Sequence, residues 1–211
     1  MLQVKNLLYK HTRTSPPFFE NLNFSLEKGK IHALFGKNGV GKTVLLNVLS
    51  NKHPLNSTLI GEIENKGVVL VNQRFDEMIV DQFTFLENLR FAKMGRFPNP
   101  IKNFKKDIDL PKAFLPFHIS LSTPAYQLSG GQRQILALLM TLQQEVHILL
   151  LDEPTAALDV DNAKMVFEFL KRLPITQLVV CHDRELVRNY VTGKEFFLTM
   201  DVHGVRRLTN V

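Results

Sequence analysis

Apolar residues recur at every second position in two segments near the start of the chain. The first segment contains Leu2 and Val4, and the second contains Leu22, Phe24 and Leu26. A period of two is typical of strands with one buried face, so the pattern predicts an antiparallel β layer in this region. The polar stretch 11–17 between the two segments contains two prolines and is predicted to be a loop.

Continuous apolar runs further along the chain predict buried strands at 31–35, 147–151 and 177–181. Stretches with helical spacing lie at 43–50, 84–94, 129–142 and 161–173. Additional strand is predicted within 61–71, and a terminal hairpin over 195–200 and 205–208. Because buried strands that alternate with helices favour a parallel sheet covered on both faces, the predicted fold class is α/β.

A glycine-rich loop follows the first buried strand and opens the first predicted helix. Its residues are Gly36, Lys37, Asn38, Gly39, Val40, Gly41, Lys42 and Thr43. The glycines allow backbone N–H groups to turn inward around phosphate oxygens at a helix N-terminus. Lys42 is predicted to reach the β- and γ-phosphates, and the hydroxyl of Thr43 to coordinate Mg²⁺. The segment is therefore predicted to be a phosphate loop.

Two adjacent carboxylates, Asp152 and Glu153, follow the second buried strand. Asp152 is predicted to hold Mg²⁺, and Glu153 to take a proton from an attacking water. The alternative is that the pair forms the acidic first turn of the following helix. That alternative leaves the phosphate loop without a partner for its metal ion.

A second predicted anion-binding surface lies at the start of the helix 129–142. Ser129, Gly130 and Gly131 present a hydroxyl, backbone N–H groups and the positive end of a helix dipole. A polyphosphate that is already bound to the phosphate loop does not need this second surface from the same subunit.

The order of these motifs resembles the ATP-binding cassette (ABC) ATPases. The phosphate loop comes first, then Leu128-Ser129-Gly130-Gly131-Gln132, then the acidic strand end, and the resemblance covers nearly the whole chain. It implies one ABC nucleotide-binding domain over 1–211, with the P-loop NTPase fold. A RecA-like core with the N-terminal antiparallel β layer would occupy 1–83 and 146–211. A small helical lobe that carries the signature would occupy 84–145.

The resemblance implies roles for four further residues. Gln73 would contact Mg²⁺ and the attacking water, and His182 would contact the γ-phosphate. Asp159 would lie in the loop that passes between two active sites, and Tyr9 would stack on adenine. The catalytic set is then Glu153, His182, Gln73 and Lys42.

The resemblance also implies a head-to-tail dimer. In the family, the signature of one subunit closes over the nucleotide of the other, so Ser129, Gly130, Gly131 and Gln132 would bind the partner's ATP. Two ATP molecules with Mg²⁺ would then lie at the interface.

The implied function is the ATPase subunit of an ABC transporter at the cytoplasmic face of a prokaryotic membrane. Its partners would be a second ATPase subunit and separate transmembrane permease subunits. A solute-binding protein would be an optional further partner. The stretch 128–159 is similar to ATPases of importers for amino-acid-like solutes. Two alternatives remain: a soluble ABC ATPase of the iron–sulfur assembly type, and an ATPase that transmits force in cell division or lipoprotein release.

The composition limits the disulfides, membrane segments and binding partners that we expect for this chain. The 211 residues include one cysteine, so no internal disulfide can form. No apolar run is long enough to span a bilayer, and the first residues read as a strand, so we expect neither a membrane span nor export by a signal peptide. The net charge of +6 fits either a solvated lysine-rich surface or attraction to anionic lipid headgroups. We expect no nucleic-acid partner, because basic residues do not form runs with interleaved aromatics.

The segment before the signature is rich in proline and phenylalanine. The phenylalanines are Phe91, Phe97, Phe104, Phe114 and Phe117. They predict a small apolar cluster within the helical lobe, or alternatively a surface groove for a partner helix.

Overall fold

The computed structural model describes residues 1–64, 66–72, 75–94, 108 and 110–210. Gln73, Phe97 and Phe104 lie outside the described residues, as does most of the proline-rich stretch, so the predictions made for them stay predictions. Contacts group the chain into two units. The first comprises Met1–Leu70, Val146–Pro154 and Pro174–Val211, and the second comprises Val71–Glu145 and Thr155–Leu173.

The described strands form one nine-stranded sheet in the order β4-β1-β2-β9-β8-β3-β7-β6-β5. The strands are β1 (Leu2–Lys10), β2 (Phe19–Leu26), β3 (Ile31–Phe35), β4 (Thr58–Glu64), β5 (Val68–Val71), β6 (Ile148–Asp152), β7 (Thr176–Val180), β8 (Glu195–Met200) and β9 (Arg206–Asn210). β1 pairs antiparallel with β2 and β4, whereas β3, β6 and β7 are parallel neighbours. The predicted antiparallel layer and buried parallel strands are therefore confirmed, as is the α/β fold class.

Four of the described α-helices begin and end within one residue of their predicted limits. The described α-helices are α1 (Lys42–Leu49), α2 (Phe85–Met94), α3 (Gly130–Thr141), α4 (Val160–Arg172) and the short α5 (Arg184–Arg188), which the sequence pattern did not predict. α2 begins at a capping box in which Thr84 Oγ1 accepts from the Glu87 amide and Glu87 Oε2 accepts from the Thr84 amide. Among the described residues, no helix is both long and apolar enough to cross a membrane.

His32 ties two turns of the first unit together from a fully buried position. Its Nδ1 faces the Lys194 amide at 2.9 Å, and its Nε2 faces the Glu27 amide at 2.9 Å and the Glu27 carbonyl oxygen at 3.4 Å. Burial is the main reason that the pKa of His32 is lowered, so the neutral ring is favoured. The ring also explains Gly193, where a Cβ would lie 2.5 Å from His32 Cε1.

The second unit differs from the predicted helical lobe because it includes α4. Helices α3 and α4 pack against each other, so the segment after β6 belongs with the signature helix rather than with the sheet. Phe114 stacks on Phe85 with ring centroids 5.2 Å apart, and Phe117 meets Phe169 at 5.8 Å. These two phenylalanines support the predicted apolar cluster, whereas Phe91 is 47% exposed.

Candidate nucleotide site and signature loop

The phosphate loop connects β3 to α1 in the first unit. Gly41 precedes α1 with a φ of 109°, and a Cβ at this position would lie 2.6 Å from the Phe18 ring. Both the backbone conformation and the space therefore require glycine. Because glycine has no side chain to cap the helix, the first-turn N–H groups of α1 are left for an anion.

The Lys42 ammonium lies against the carbonyls of the same loop. Its Nζ donates to the oxygens of Gly36 at 2.9 Å and Lys37 at 3.2 Å, and the residue is 7% exposed. An anionic phosphate oxygen is a better partner for this buried cation than either neutral carbonyl.

Thr43 and Asp152 bring the first turn of α1 to the end of β6. The Thr43 hydroxyl donates to Asp152 Oδ2 at 2.7 Å. Burial is the largest cause of the raised pKa of Asp152, and the neighbouring Glu153 charge adds to it. The hydrogen bond from Thr43 and the charges of Lys42 and His182 act in the opposite direction. A buried carboxylate of this kind gains most from a nearby cation.

The oxygens of Thr43 and Asp152 suit Mg²⁺, which needs few protein ligands, better than a metal ion whose ligands all come from protein side chains. Within the described ranges, no group of three or more His, Cys, Asp and Glu side chains could hold a metal ion. Mg²⁺ is commonly bound through one or two protein oxygens, with water and substrate phosphates completing the shell. Thr43 and Asp152 supply two oxygens beside the phosphate loop.

Glu153 is held in an unusual backbone conformation next to His182. Its φ is 52°, in the left-handed region, which costs a non-glycine residue about 1–2 kcal/mol. Its amide donates to the Val180 carbonyl at 3.0 Å, and its Oε1 lies 2.6 Å from His182 Nε2. Since strained backbone tends to persist at functional sites, this geometry marks Glu153 as more than the first turn of a helix.

Tyr9 lies in a different environment from the one predicted. The residue is 1% exposed and belongs to an apolar core cluster of the first unit. Its ring is in edge contact with His11 and Phe18, and its hydroxyl lies 3.5 Å from His11 Nδ1. A ring enclosed in this way has no face available for adenine, so the structure contradicts the predicted stacking role of Tyr9.

The exposed ring near the end of β1 is His11, which the sequence motifs did not predict as a site residue. It follows the end of β1 and meets the Phe18 ring edge-on, with centroids 4.5 Å apart. Phe18 in turn lies against Gly41 of the phosphate loop, and the Arg206 guanidinium lies 3.7 Å from the centroid of its ring. The alternation that begins at Leu2 and Val4 would turn Tyr9 outward. An irregularity between Val4 and Leu7, where Asn6 has a φ of 49°, shifts the register and turns Tyr9 inward, so the sequence pattern gave no signal for His11.

The signature loop begins α3 in the second unit. Ser129 is the N-cap in a capping box: its Oγ accepts from the Gln132 amide, and Gln132 Oε1 accepts from the Ser129 amide at 3.0 Å. The Gln132 side chain is thus used by the helix cap, whereas Ser129 and Gly130 are exposed.

Asn162 joins this loop to the segment around Asp159, a link that the sequence motifs did not predict. Asn162 Oδ1 accepts from the Ser129 hydroxyl and from the Gly131 amide, both at 3.0 Å. Asn162 Nδ2 donates to Asp159 at 2.7 Å. Asp159 itself caps α4 by accepting from the Asn162 amide, and these bonds lower its pKa. The only hint in the sequence was an asparagine three residues after a capping aspartate.

Known sequences with similarity to this chain include import ATP-binding proteins. The ribose import ATP-binding protein RbsA of Oceanobacillus iheyensis is 33% identical over 73% of this chain, and this chain spans 34% of that protein's length. The phosphonates import ATP-binding protein PhnC 2 of the same organism is 28% identical over 90% of this chain and 84% of its own length. The chain therefore spans only part of some of the relatives that it matches.

Solved structures share the fold over nearly the whole chain. CbiO1 from Clostridium perfringens, part of the ABC transporter complex cbiONQ, has a TM-score of 0.77 and 25% identity, with 99% of this chain and 87% of the other covered. The dimeric post-hydrolysis structure of the cassette MJ0796, bound to ADP and Pi, has a TM-score of 0.67 and 23% identity, with 99% and 98% covered.

The family model described as ABC transporter matches residues 19–156, a range that contains the phosphate loop, the signature and both carboxylates of the acidic strand end. With motifs, fold and family model in agreement, this chain belongs to the ABC transporter family.

Proposed function

We propose that this chain is the ATP-hydrolysing subunit of an ABC transporter and acts on a separate membrane permease. The observation that carries the proposal is the strained Glu153, whose carboxylate lies 2.6 Å from His182 and directly follows the Asp152–Thr43 pair. A base beside a phosphate loop is the arrangement that hydrolysis of a nucleoside triphosphate requires.

In the proposed reaction, the oxygen of a water molecule attacks the γ-phosphorus of ATP. The bond from that phosphorus to the bridging oxygen of ADP breaks, and ADP and inorganic phosphate are released. Glu153 accepts the proton that the water loses. His182 holds the Glu153 carboxylate in place through the observed contact, and Lys42 binds the β- and γ-phosphates.

Mg²⁺ is proposed to lie beside Thr43 and Asp152 and, when bound, to neutralise charge on the phosphates. Gln73 is proposed as a further contact of the metal and the water. The proposal for Thr43 and Asp152 is supported by the hydrogen bond between them and by the burial of the carboxylate.

The active unit is proposed to be a head-to-tail dimer, in which Ser129 and Gly131 contact ATP bound to the phosphate loop of the second subunit. Support comes from the separate groups of donors that the two loops present. The dimeric structure of the related cassette gives the same oligomeric state for that protein. The solute is left open: RbsA and PhnC 2 are named for ribose and phosphonates, which gives no support to the predicted amino-acid-like solutes.

His11 is proposed to replace Tyr9 as the ring that contacts adenine. Replacing His11 by alanine is expected to raise the Kd for ATP about fivefold or more, because stacking of one base on a ring is worth about 1–3 kcal/mol. Fluorescence titration with a labelled ATP analogue measures this. His11→Tyr should keep the affinity, and His203→Ala, at another exposed histidine, serves as the control. Unchanged affinity in His11→Ala would exclude the base contact.

Affinity purification tests the assignment to a transporter. Tagged Glu153→Gln protein would be captured from detergent-solubilised native membranes with ATP present, and in parallel with ADP. The expected result is a multi-span membrane protein that co-purifies in ATP. A few-span protein with a large outer domain would indicate force transmission instead. Recovery only in the soluble fraction would contradict a membrane partner and favour the soluble ABC ATPases.

A further inference from the structure

The hydrogen bonds of Asn162 occupy the donors that the signature is proposed to offer to nucleotide. Ser129 Oγ and Gly131 N both donate to the single atom Asn162 Oδ1, at 3.0 Å each. The orientation of the amide is fixed by its partners, because the Gly131 amide can only donate and the Asp159 carboxylate accepts from Nδ2. One oxygen atom therefore takes both donors.

The contact between the signature loop and the segment 158–162 requires glycine at positions 130 and 131. A Cβ on Gly131 would lie 2.7 Å from Asn162 Oδ1, and a Cβ on Gly130 would lie 2.9 Å from Leu158 Cδ2. Any side chain at position 131 would displace Asn162 from the loop. The absence of side chains thus lets the Asp159 segment approach the signature closely enough for Asn162 to reach both donors.

We propose that Asn162 is a positioning residue that stands in for a phosphate oxygen while no nucleotide is bound across the dimer. This inference rests on the proposed function, since it assumes that Ser129 and Gly131 bind ATP held by a second subunit. Formation of the closed dimer then requires both donors to leave Asn162 Oδ1 and bind the phosphate.

The inference predicts opposite effects from two substitutions at this position. Asn162→Ala removes the competing acceptor, so the ATP concentration for half-maximal dimerisation should fall about fivefold, the equivalent of one ordinary hydrogen bond. Asn162→Asp provides a charged and stronger acceptor and places a negative charge near the incoming phosphate. It should therefore raise that concentration at least about tenfold. A purely structural role would weaken dimerisation in both variants.

The experiment uses light scattering during ATP titration of the full chain in the Glu153→Gln background. Lys164→Ala is the control, because Lys164 lies on the same helix in an exposed ion pair with Asp161 and should leave the midpoint unchanged. Thermal melts confirm that each variant is folded. A midpoint that is unchanged or raised by Asn162→Ala, in a chain that does dimerise, would overturn the role of Asn162 alone. Absence of any ATP-dependent dimer before Asn162 is changed would overturn the proposed function, and the inference with it.

Discussion

Replacing Glu153 by glutamine is expected to reduce ATP turnover about 10²–10⁴-fold while ATP binding is retained. Glutamine is close in size to glutamate and can still hydrogen-bond to His182, but it cannot accept the proton of the attacking water. The phosphate loop and the Thr43–Asp152 pair stay unchanged, so the variant should accumulate as an ATP-bound dimer. Phosphate release gives the turnover, and light scattering with ATP gives the mass.

Glu62→Gln is the matched control for this substitution. The Glu62 side chain is 74% exposed on β4 and forms a long ion pair with Lys5, so the same chemical change should leave turnover unaltered. If Glu153→Gln keeps turnover close to that of the unchanged protein, Glu153 is not the base. Loss of ATP binding would instead mean that the carboxylate is needed to form the nucleotide site.

Replacing Ser129 by arginine is expected to lower turnover at least about 100-fold without a change in ATP affinity of the monomer. The substitution removes a hydroxyl donor and places a long cation where the partner's phosphate is proposed to bind, and loss of one such donor alone typically costs about 10²–10³-fold. ATP bound to the phosphate loop of the same chain does not need Ser129. Phosphate release and a binding titration at a protein concentration that keeps the chain monomeric separate the two effects.

Two controls accompany this variant. Ser122→Arg introduces the same side chain at another exposed serine of the second unit and should leave turnover unchanged. Ser129→Ala removes the helix N-cap, which typically costs about 1 kcal/mol of stability, without adding bulk or charge. If Ser129→Arg abolished ATP binding by the monomer, the signature would belong to the nucleotide site of its own subunit, and the head-to-tail dimer would be wrong.

The sequence alone predicted the elements whose signals are local. The runs 31–35, 147–151 and 177–181 predicted the limits of the buried parallel strands within one residue. A short apolar run bounded by glycine or charged residues is compatible with few structures other than a buried strand. The start of α3 was predicted within one residue from the helical spacing and the serine that precedes it, and the structure adds the capping box with Gln132. The phosphate loop and the carboxylates at the end of β6 were likewise identified from the order of residues.

The positions decided by tertiary structure depend on contacts between distant segments. Which ring near the end of β1 is exposed depends on how β1 packs into the core, so Tyr9 was chosen where His11 is accessible. The left-handed backbone of Glu153 is held by a bond to Val180, which no local pattern near residue 153 reveals.

Asn162 shows the same limit most clearly. Thirty-three residues separate it from Ser129, and its amide meets the signature only because α3 and α4 pack with glycine at position 131. The sequence determined which residue types carry the chemistry and where the strands and helices begin. The tertiary structure decided which side chains meet, because hydrogen bonds between segments far apart in the chain depend on how those segments pack.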